Sequence, residues 1–338
     1  MSLTAVLSTN ASLSAAHRIA AAELRDSDLP GPGDRVGLIA GWGRFPIVVA
    51  QALKARGCEV YCVGIFGHCD AELRNLCDDY VEMGPAKLGG HIRWFRNRGV
   101  SCATMAGKLF KTQIFKHRHW LFHLPDWETI RSFYPHFVLK SRDLKDDTIL
   151  LTVIDTFARK QIRFEPAVRF APELLVKYGC LTRKGLNDAQ RRDVEFGWTV
   201  AKALGGHDIG QSVAVRHGTI LAVEAVEGTD ACIRRAGELC KMGGFSLVKT
   251  AKPQQDMRFD VPTVGLGTIE TLRAAGGKAL AVEADRTIFL DYEETIAFAE
   301  RHGIAIVAVE EGEGSLSIPA AGSAKSAEEG DGSRESAA

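Results

Sequence analysis

Apolar positions along the chain follow two different periods. Arg35 to Ala40 (RVGLIA) and Glu59 to Ile65 are short runs rich in Val, Ile and Leu, the length of buried strands. Between them, Phe45 to Arg56 carries its apolar residues at helical spacing. Strand, helix and strand in that order predict a βαβ unit and therefore a parallel sheet. The second half repeats the alternation. Ser212 to Val215, Thr219 to Val226, Leu247 to Thr250 and Thr263 to Gly265 read as strands, and Asp188 to Leu204, Asp230 to Cys240 and Ile269 to Ala275 as helices. Ala279 to Val282, Thr287 to Leu290, Tyr292 to His302 and Ile304 to Val309 close the series as strand, strand, helix and strand. No internal repeat of fixed period is visible. The fold class predicted is α/β: two α/β domains, the first Rossmann-like with a parallel sheet, joined by a helical linker region.

Breaks in the pattern place the boundaries. Asp26 to Asp34 (DSDLPGPGD) packs two prolines and two glycines into a turn-rich linker behind an Ala-rich stretch. Leu144 to Arg163 spaces Ile149, Val153, Ile154 and Phe157 as a helix, and Pro166 and Pro172 then mark an irregular crossing. From Gly312 onward Gly, Ser, Ala and Glu dominate, too few large apolar groups to offset the entropy of ordering. The expected layout is an extension and linker over 1–34, an N-terminal α/β domain over 35–165, a C-terminal catalytic α/β domain over 166–310, and a disordered acidic tail over 311–338.

Composition narrows the classes. No apolar run approaches the roughly 20 residues of a spanning helix. The 42 Lys and Arg balance 42 Asp and Glu, which argues against a nucleic-acid partner. The balance hides an asymmetry: from Glu310 onward the net charge is −5, so the rest of the chain is mildly basic, suited to an anionic small molecule or membrane surface. The eight cysteines include no Cys-x-x-Cys pair and read as reduced thiols of a cytoplasmic protein. Met1 to Ser27 lacks a basic segment followed by a continuous apolar one, so export is not expected.

Four stretches carry candidate chemistry. Gly37 to Gly43 (GLIAGWG) places small residues where a strand hands over to a helix, either a phosphate-contacting loop or a plain tight turn. Ile220 to Asp230 (ILAVEAVEGTD) clusters Glu224, Glu227 and Asp230 at a strand end, where ligands of α/β sheets bind. Those carboxylates either hold a divalent cation and orient water or, more simply, cap a helix and face solvent. Lys249 to Pro253 (KTAKP) sets cations behind another strand, fit to neutralise a diphosphate or merely solvated. Lys87 to Arg118 holds eight basic residues and no acid, interleaved with Trp94, Phe95, Phe110 and Phe115, which suits an anionic lipid surface or two helices with basic outer faces. His117, His119 and His123 follow without the Glu that would complete a zinc motif.

Five segments in order, VGLIAGWGRFP, MAGK at Met105 to Lys108, LKDDTILL at Leu144 to Leu151, DIGQSVAVRHGTILAVEAVEGTD, and KTAKPQQDMRFDVPTVGLGTIETL, resemble the LpxI type of UDP-2,3-diacylglucosamine pyrophosphatase. The likeness runs from about Arg35 to Val309. It implies a two-domain α/β hydrolase that splits UDP-2,3-diacylglucosamine into 2,3-diacylglucosamine 1-phosphate (lipid X) and UMP in lipid A biosynthesis, with Mg²⁺ or Mn²⁺. By the resemblance Asp230 is catalytic, and Asp230, Glu227 and Glu224 are the metal candidates. Gly41, Gly43, Lys108, Asp147, Gln211, Thr229, Lys249, Lys252 and Gln255 are the substrate-binding candidates. Trp42 and Thr112 depart from the family pattern, which has glycine at the first position and often proline at the second. The implied partners are the UDP-linked acylated glucosamine and an anionic membrane surface, touched peripherally from the cytoplasm. A homodimer is left open. The alternative is a non-catalytic nucleotide-sugar or lipid-binding protein of the same fold, against which the intact carboxylates argue.

Overall fold

The computed structural model describes residues 29–108, 124–137, 146–258, 261–312 and 315–320. The Ala-rich stretch before Asp26, Lys111, Thr112, Lys116 to Arg118, His119, His123 and the tail from residue 321 lie outside the described residues. The chain divides into two compact units, one ending at Glu165 and the other beginning at Pro166.

The first unit is built on strands β1 (Arg35–Ala40), β2 (Glu59–Ile65), β3 (Asp79–Met83), β4 (Cys102–Ala106) and β5 (Arg163–Phe164), all parallel, in the order β3-β2-β1-β4-β5. Helices α1 (Phe45–Ala55), α2 (Leu73–Leu76), α3 (Leu88–Arg96), α4 (Trp127–Phe137) and α5 (Asp146–Ala158) complete it. A parallel strand at the centre of a sheet is covered on both faces, and β1 is buried from Val36 to Ala40. Gly37 is part of that packing: a Cβ there would stand 2.9 Å from the ring of Phe95. The helix α5 belongs to this unit's core. Its Phe157 ring meets Phe164 at 5.0 Å and Phe95 at 6.3 Å. β3 escapes a pattern search because all five of its residues are half-buried, without apolar alternation.

The second unit holds β6 (Gly179–Cys180), α6 (Asp188–Gly206), β7 (Ser212–Arg216), β8 (Thr219–Val223), α7 (Thr229–Leu239), β9 (Ser246–Lys249), β10 (Thr263–Val264), α8 (Leu266–Ala274), β11 (Ala279–Glu283), β12 (Ile288–Phe289), α9 (Tyr292–Arg301), β13 (Ala305–Glu311) and β14 (Leu316–Ser317). Its seven-stranded sheet is mixed. β9, β11 and β13 run parallel, while β7 and β8 add an antiparallel hairpin at one edge and β6 and β14 pair antiparallel with β13 at the other.

Three differences from the sequence reading stand out. β8 stops at Val223, not Val226, and Glu224 to Gly228 turn away as a loop. Thr263 and Val264 do not join the main sheet but pair with Ile288 and Phe289 in a separate two-stranded sheet. Leu316 and Ser317, assigned to the tail, extend the sheet by pairing with Glu311 and Glu310. The Pro319 and Ala320 carbonyls then accept bonds from Arg191 and from the Cys180 thiol. All eight cysteines are free thiols. None of the described helices is long and apolar enough to cross a membrane.

Candidate active site

In the first unit the strand order reverses direction between β1 and β4, so the loops leaving their C-terminal ends stand side by side, where α/β sheets receive ligands. The backbones of Trp42 and Lys108 exchange two hydrogen bonds of 2.9 Å, joining the GWG loop to the MAGK loop. Gly41 is required there, because a Cβ would fall 2.8 Å from the Lys108 carbonyl oxygen. Gly43, at φ +107°, faces open space and leads into α1, whose first turn has no side-chain cap. The thiol of Cys69 donates to the Ala40 carbonyl at 3.0 Å directly beneath the loop. Burial pushes that thiol up to about 11, so it is a packing group and not a nucleophile at neutral pH. Asp147 is the second residue of α5, in the same unit.

In the second unit, antiparallel pairing of β7 with both β8 and β9 makes β8 and β9 point the same way. The start of β7 and the ends of β8, β9 and β11 therefore share one sheet edge, which gathers Gln211, Ser212, Glu224, Lys249 and Glu283. Close approach is built in at Gly210, where a Cβ would lie 2.0 Å from the Glu224 carbonyl oxygen. Glu224 is buried, and its Oε1 accepts a 2.9 Å bond from the Thr229 hydroxyl. Lys249, also buried, places Nζ 3.3 Å from that hydroxyl and donates to the Thr263 carbonyl at 2.9 Å. Ser212 Oγ lies 3.4 Å from Thr229 Oγ1. Glu224 Oε2, Gln211 Oε1, Thr250 Oγ1 and Gln255 Nε2 are buried without a hydrogen-bond partner among the described residues. Buried polar atoms are almost always satisfied, so this concentration of orphans along one edge marks a place built for a polar ligand.

The helix α7 begins at this edge. Gly228, at φ +83°, is its uncapped N-terminal residue, leaving the first-turn N–H groups free for anionic oxygen. Asp230, in that first turn, is exposed and makes no hydrogen bond or ion pair among the described residues. Lys252 pairs with Asp208 at 2.6 Å, and its backbone N–H donates to Gln255 Oε1 at 2.8 Å, folding the KTAKP loop onto Gln255.

The three carboxylates singled out as metal candidates are differently placed. Glu227 is ion-paired with Arg235 at 3.1 Å, whereas Glu224 keeps one buried oxygen without a partner. No three His, Cys, Asp or Glu side chains gather as a metal site among the described residues. Mg²⁺ does not need such a cage, since it is usually held by one or two carboxylates together with water and substrate phosphate. Glu224, with one buried oxygen unpartnered and the Thr229 hydroxyl on the other, offers oxygen ligands of that kind. The charge of Glu224 is felt nearby: burial, helped by this carboxylate, pushes the Cys232 thiol up to about 12.

Two residues that the sequence reading passed over hold the site together. Glu283, at the end of β11, accepts from the Ala251 N–H at 2.7 Å and pairs with Lys202 at 2.8 Å, anchoring the KTAKP loop. The signal was there to find, because Leu221-Ala222-Val223-Glu224 and Leu280-Ala281-Val282-Glu283 are the same tetrapeptide, and each ends in a buried glutamate.

The loops of the first unit and the edge of the second fall on segments that known proteins share. The LpxI N-terminal domain model matches residues 35–174, and the LpxI C-terminal domain model matches residues 177–307. The UDP-2,3-diacylglucosamine pyrophosphatase LpxI of Caulobacter vibrioides is 29% identical over 285 residues, which cover 82% of this chain and 98% of that protein. With both domains matched, in order and almost without a gap between them, the chain belongs to the LpxI family.

Proposed function

We propose that this protein hydrolyses the diphosphate of UDP-2,3-diacylglucosamine, releasing UMP and 2,3-diacylglucosamine 1-phosphate in lipid A biosynthesis. The observation that carries the reading is the edge at the start of α7, where a carboxylate with an unpartnered buried oxygen, the buried Lys249 and free helix N–H groups converge. Such a set suits a substrate that is both anionic and attacked by water.

In this scheme Asp230 orients the attacking water and takes its proton, a role that suits its exposed position in the first turn of the helix. The first-turn N–H groups of α7 bind phosphate oxygens. Lys249, with Lys252 behind it, offsets the charge that grows on the leaving UMP oxygen. Glu224 and Asp230 would hold Mg²⁺ or Mn²⁺, which when bound supplies charge neutralisation across the diphosphate. Gly41, Gly43 and Lys108, in the GWG and MAGK loops of the first unit, are substrate-binding candidates by the family resemblance. A substrate carrying acyl chains lies at a bilayer, so the enzyme works peripherally at the cytoplasmic face of the membrane.

The test is turnover of UDP-2,3-diacylglucosamine by purified protein with Mg²⁺ in ¹⁸O-water. UMP release with the label in 2,3-diacylglucosamine 1-phosphate is expected. Label in UMP would place the attack on the other phosphorus, and absence of UMP would refute the activity.

A further inference from the structure

The helix α4 is amphipathic in the wrong sense for a helix bathed in water. Its buried side chains among the described residues, Thr129 and Ser132, are hydroxyls. Thr129 Oγ1 donates to the Ala86 carbonyl at 2.8 Å and accepts from the Leu88 N–H at 3.1 Å, while Ser132 Oγ accepts from Thr156 at 2.9 Å. Its outward residues, Trp127, Ile130, Arg131 and Tyr134, follow the spacing i, i+3, i+4, i+7 that puts them on one face. Trp127 is 75% exposed and Tyr134 48%, with Leu124 exposed just ahead of the helix. A contiguous apolar stripe of this kind on a surface is a contact site.

We propose that this face docks the protein on an anionic bilayer, with Trp127, Ile130 and Tyr134 entering the headgroup boundary. Charge selects the bilayer over an apolar protein partner. Arg131 lies within the stripe. Arg93 and Arg96 stand four and seven residues after Gly89, the α3 position where a Cβ would meet Asp126 and Glu128 of the α4 start, so they continue the same side of the unit. None of the three arginines has an ion pair among the described residues. The nearby acids are already spent: Asp126 accepts from the Gly90 and Thr129 N–H groups, and Glu128 pairs with Lys160. Tryptophan, tyrosine and arginine on one exposed face are the composition of interfacial anchors. The proposal draws on the reading of a lipid-linked substrate for its biological sense, but its test is independent of turnover.

Flotation of the full chain with phosphatidylcholine vesicles, with and without phosphatidylglycerol, reads the binding. The wild type is expected to bind the anionic vesicles and to be released by salt. Trp127→Ser with Tyr134→Ser lowers the partition by about tenfold. Charge reversal of Arg93, Arg96 and Arg131 to Glu weakens binding to anionic vesicles by at least about fivefold per residue. Melting temperature and turnover of detergent-dispersed UDP-2,3-diacylglucosamine stay at wild-type values, so a failure of docking is distinguished from a failure of the proposed activity. Absent binding by the wild type, or binding unchanged by the Trp127 and Tyr134 substitutions, overturns the proposal. So does a wild-type dimer that these substitutions split into monomers, which would assign the face to a second copy of the chain.

Discussion

Replacing Lys202 by methionine removes a cation while keeping most of its stem, and the structure says what is left behind. Lys202 Nζ lies 2.9 and 2.8 Å from the two carboxylate oxygens of Glu283, over the Trp198 ring at 5.0 Å. Glu283 is buried, and its other close donor is the Ala251 N–H at 2.7 Å. Breaking a buried pair from one side leaves an uncompensated charge and costs about 3–5 kcal/mol. Arg286, 3.8 Å from Glu283 and partly exposed, compensates in part, which sets the expectation near the lower end, about 3 kcal/mol. Urea unfolding followed by circular dichroism measures the loss. Adding Glu283→Gln removes the stranded charge and keeps an oxygen for Ala251, so the double variant should recover about 2 kcal/mol. Because the same carboxylate fixes the backbone from which Lys252 extends, kcat should fall in the single variant and rise again in the double one. A loss below about 1 kcal/mol, or a double variant no more stable than the single one, would refute the view of Glu283 as a buried charge held by Lys202.

Asp230→Asn should abolish nearly all turnover while leaving the melting temperature close to wild type, since the side chain is exposed and unpaired among the described residues; activity within a few-fold of wild type would remove it from the chemistry. EDTA should stop turnover and Mg²⁺ should restore it, and full activity in metal-free buffer would contradict the role given to Glu224 and Asp230. Burial holds the His91 imidazole down at about 4, against 6.5 when unfolded, so below pH 6.5 the unfolded chain takes up a proton that the folded chain refuses. Stability should therefore drop by up to about 3 kcal/mol as pH falls from 6.5 to 4, and His91→Gln should flatten that part of the profile; equal slopes in the two proteins would count against it.

Much of this protein is legible in the residues alone, because some signals are local. Short apolar runs such as RVGLIA and ALAV can satisfy their backbone only in a covered sheet, and the helical spacing from Asp188 into Lys202 admits one partner face. The motifs GWG, EGTD and KPxQ likewise mark strand ends directly in the sequence, and the resemblance to the LpxI family rests on them. Elements without periodicity were invisible to such reading. β3 is evenly half-buried, and β14 is two residues long and exists only because β13 offers it an edge.

What the tertiary structure decided is which strand ends meet. Glu224 and Glu283 end identical tetrapeptides, yet one keeps an unpartnered oxygen beside Thr229 and the other is occupied by Lys202 and Ala251. Glu227 looks equivalent to Glu224 along the chain, but Arg235, two turns into α7, claims it. The helix α4 drew no reading from the sequence, and packing alone turns Thr129 and Ser132 inward and Trp127 and Tyr134 outward. Periodicity reports only how a segment divides its own residues between two sides. Which side is buried, and which carboxylate is claimed, depends on partners elsewhere in the fold, such as Thr156 for Ser132 and Lys202 for Glu283, and those are set when the sheet closes.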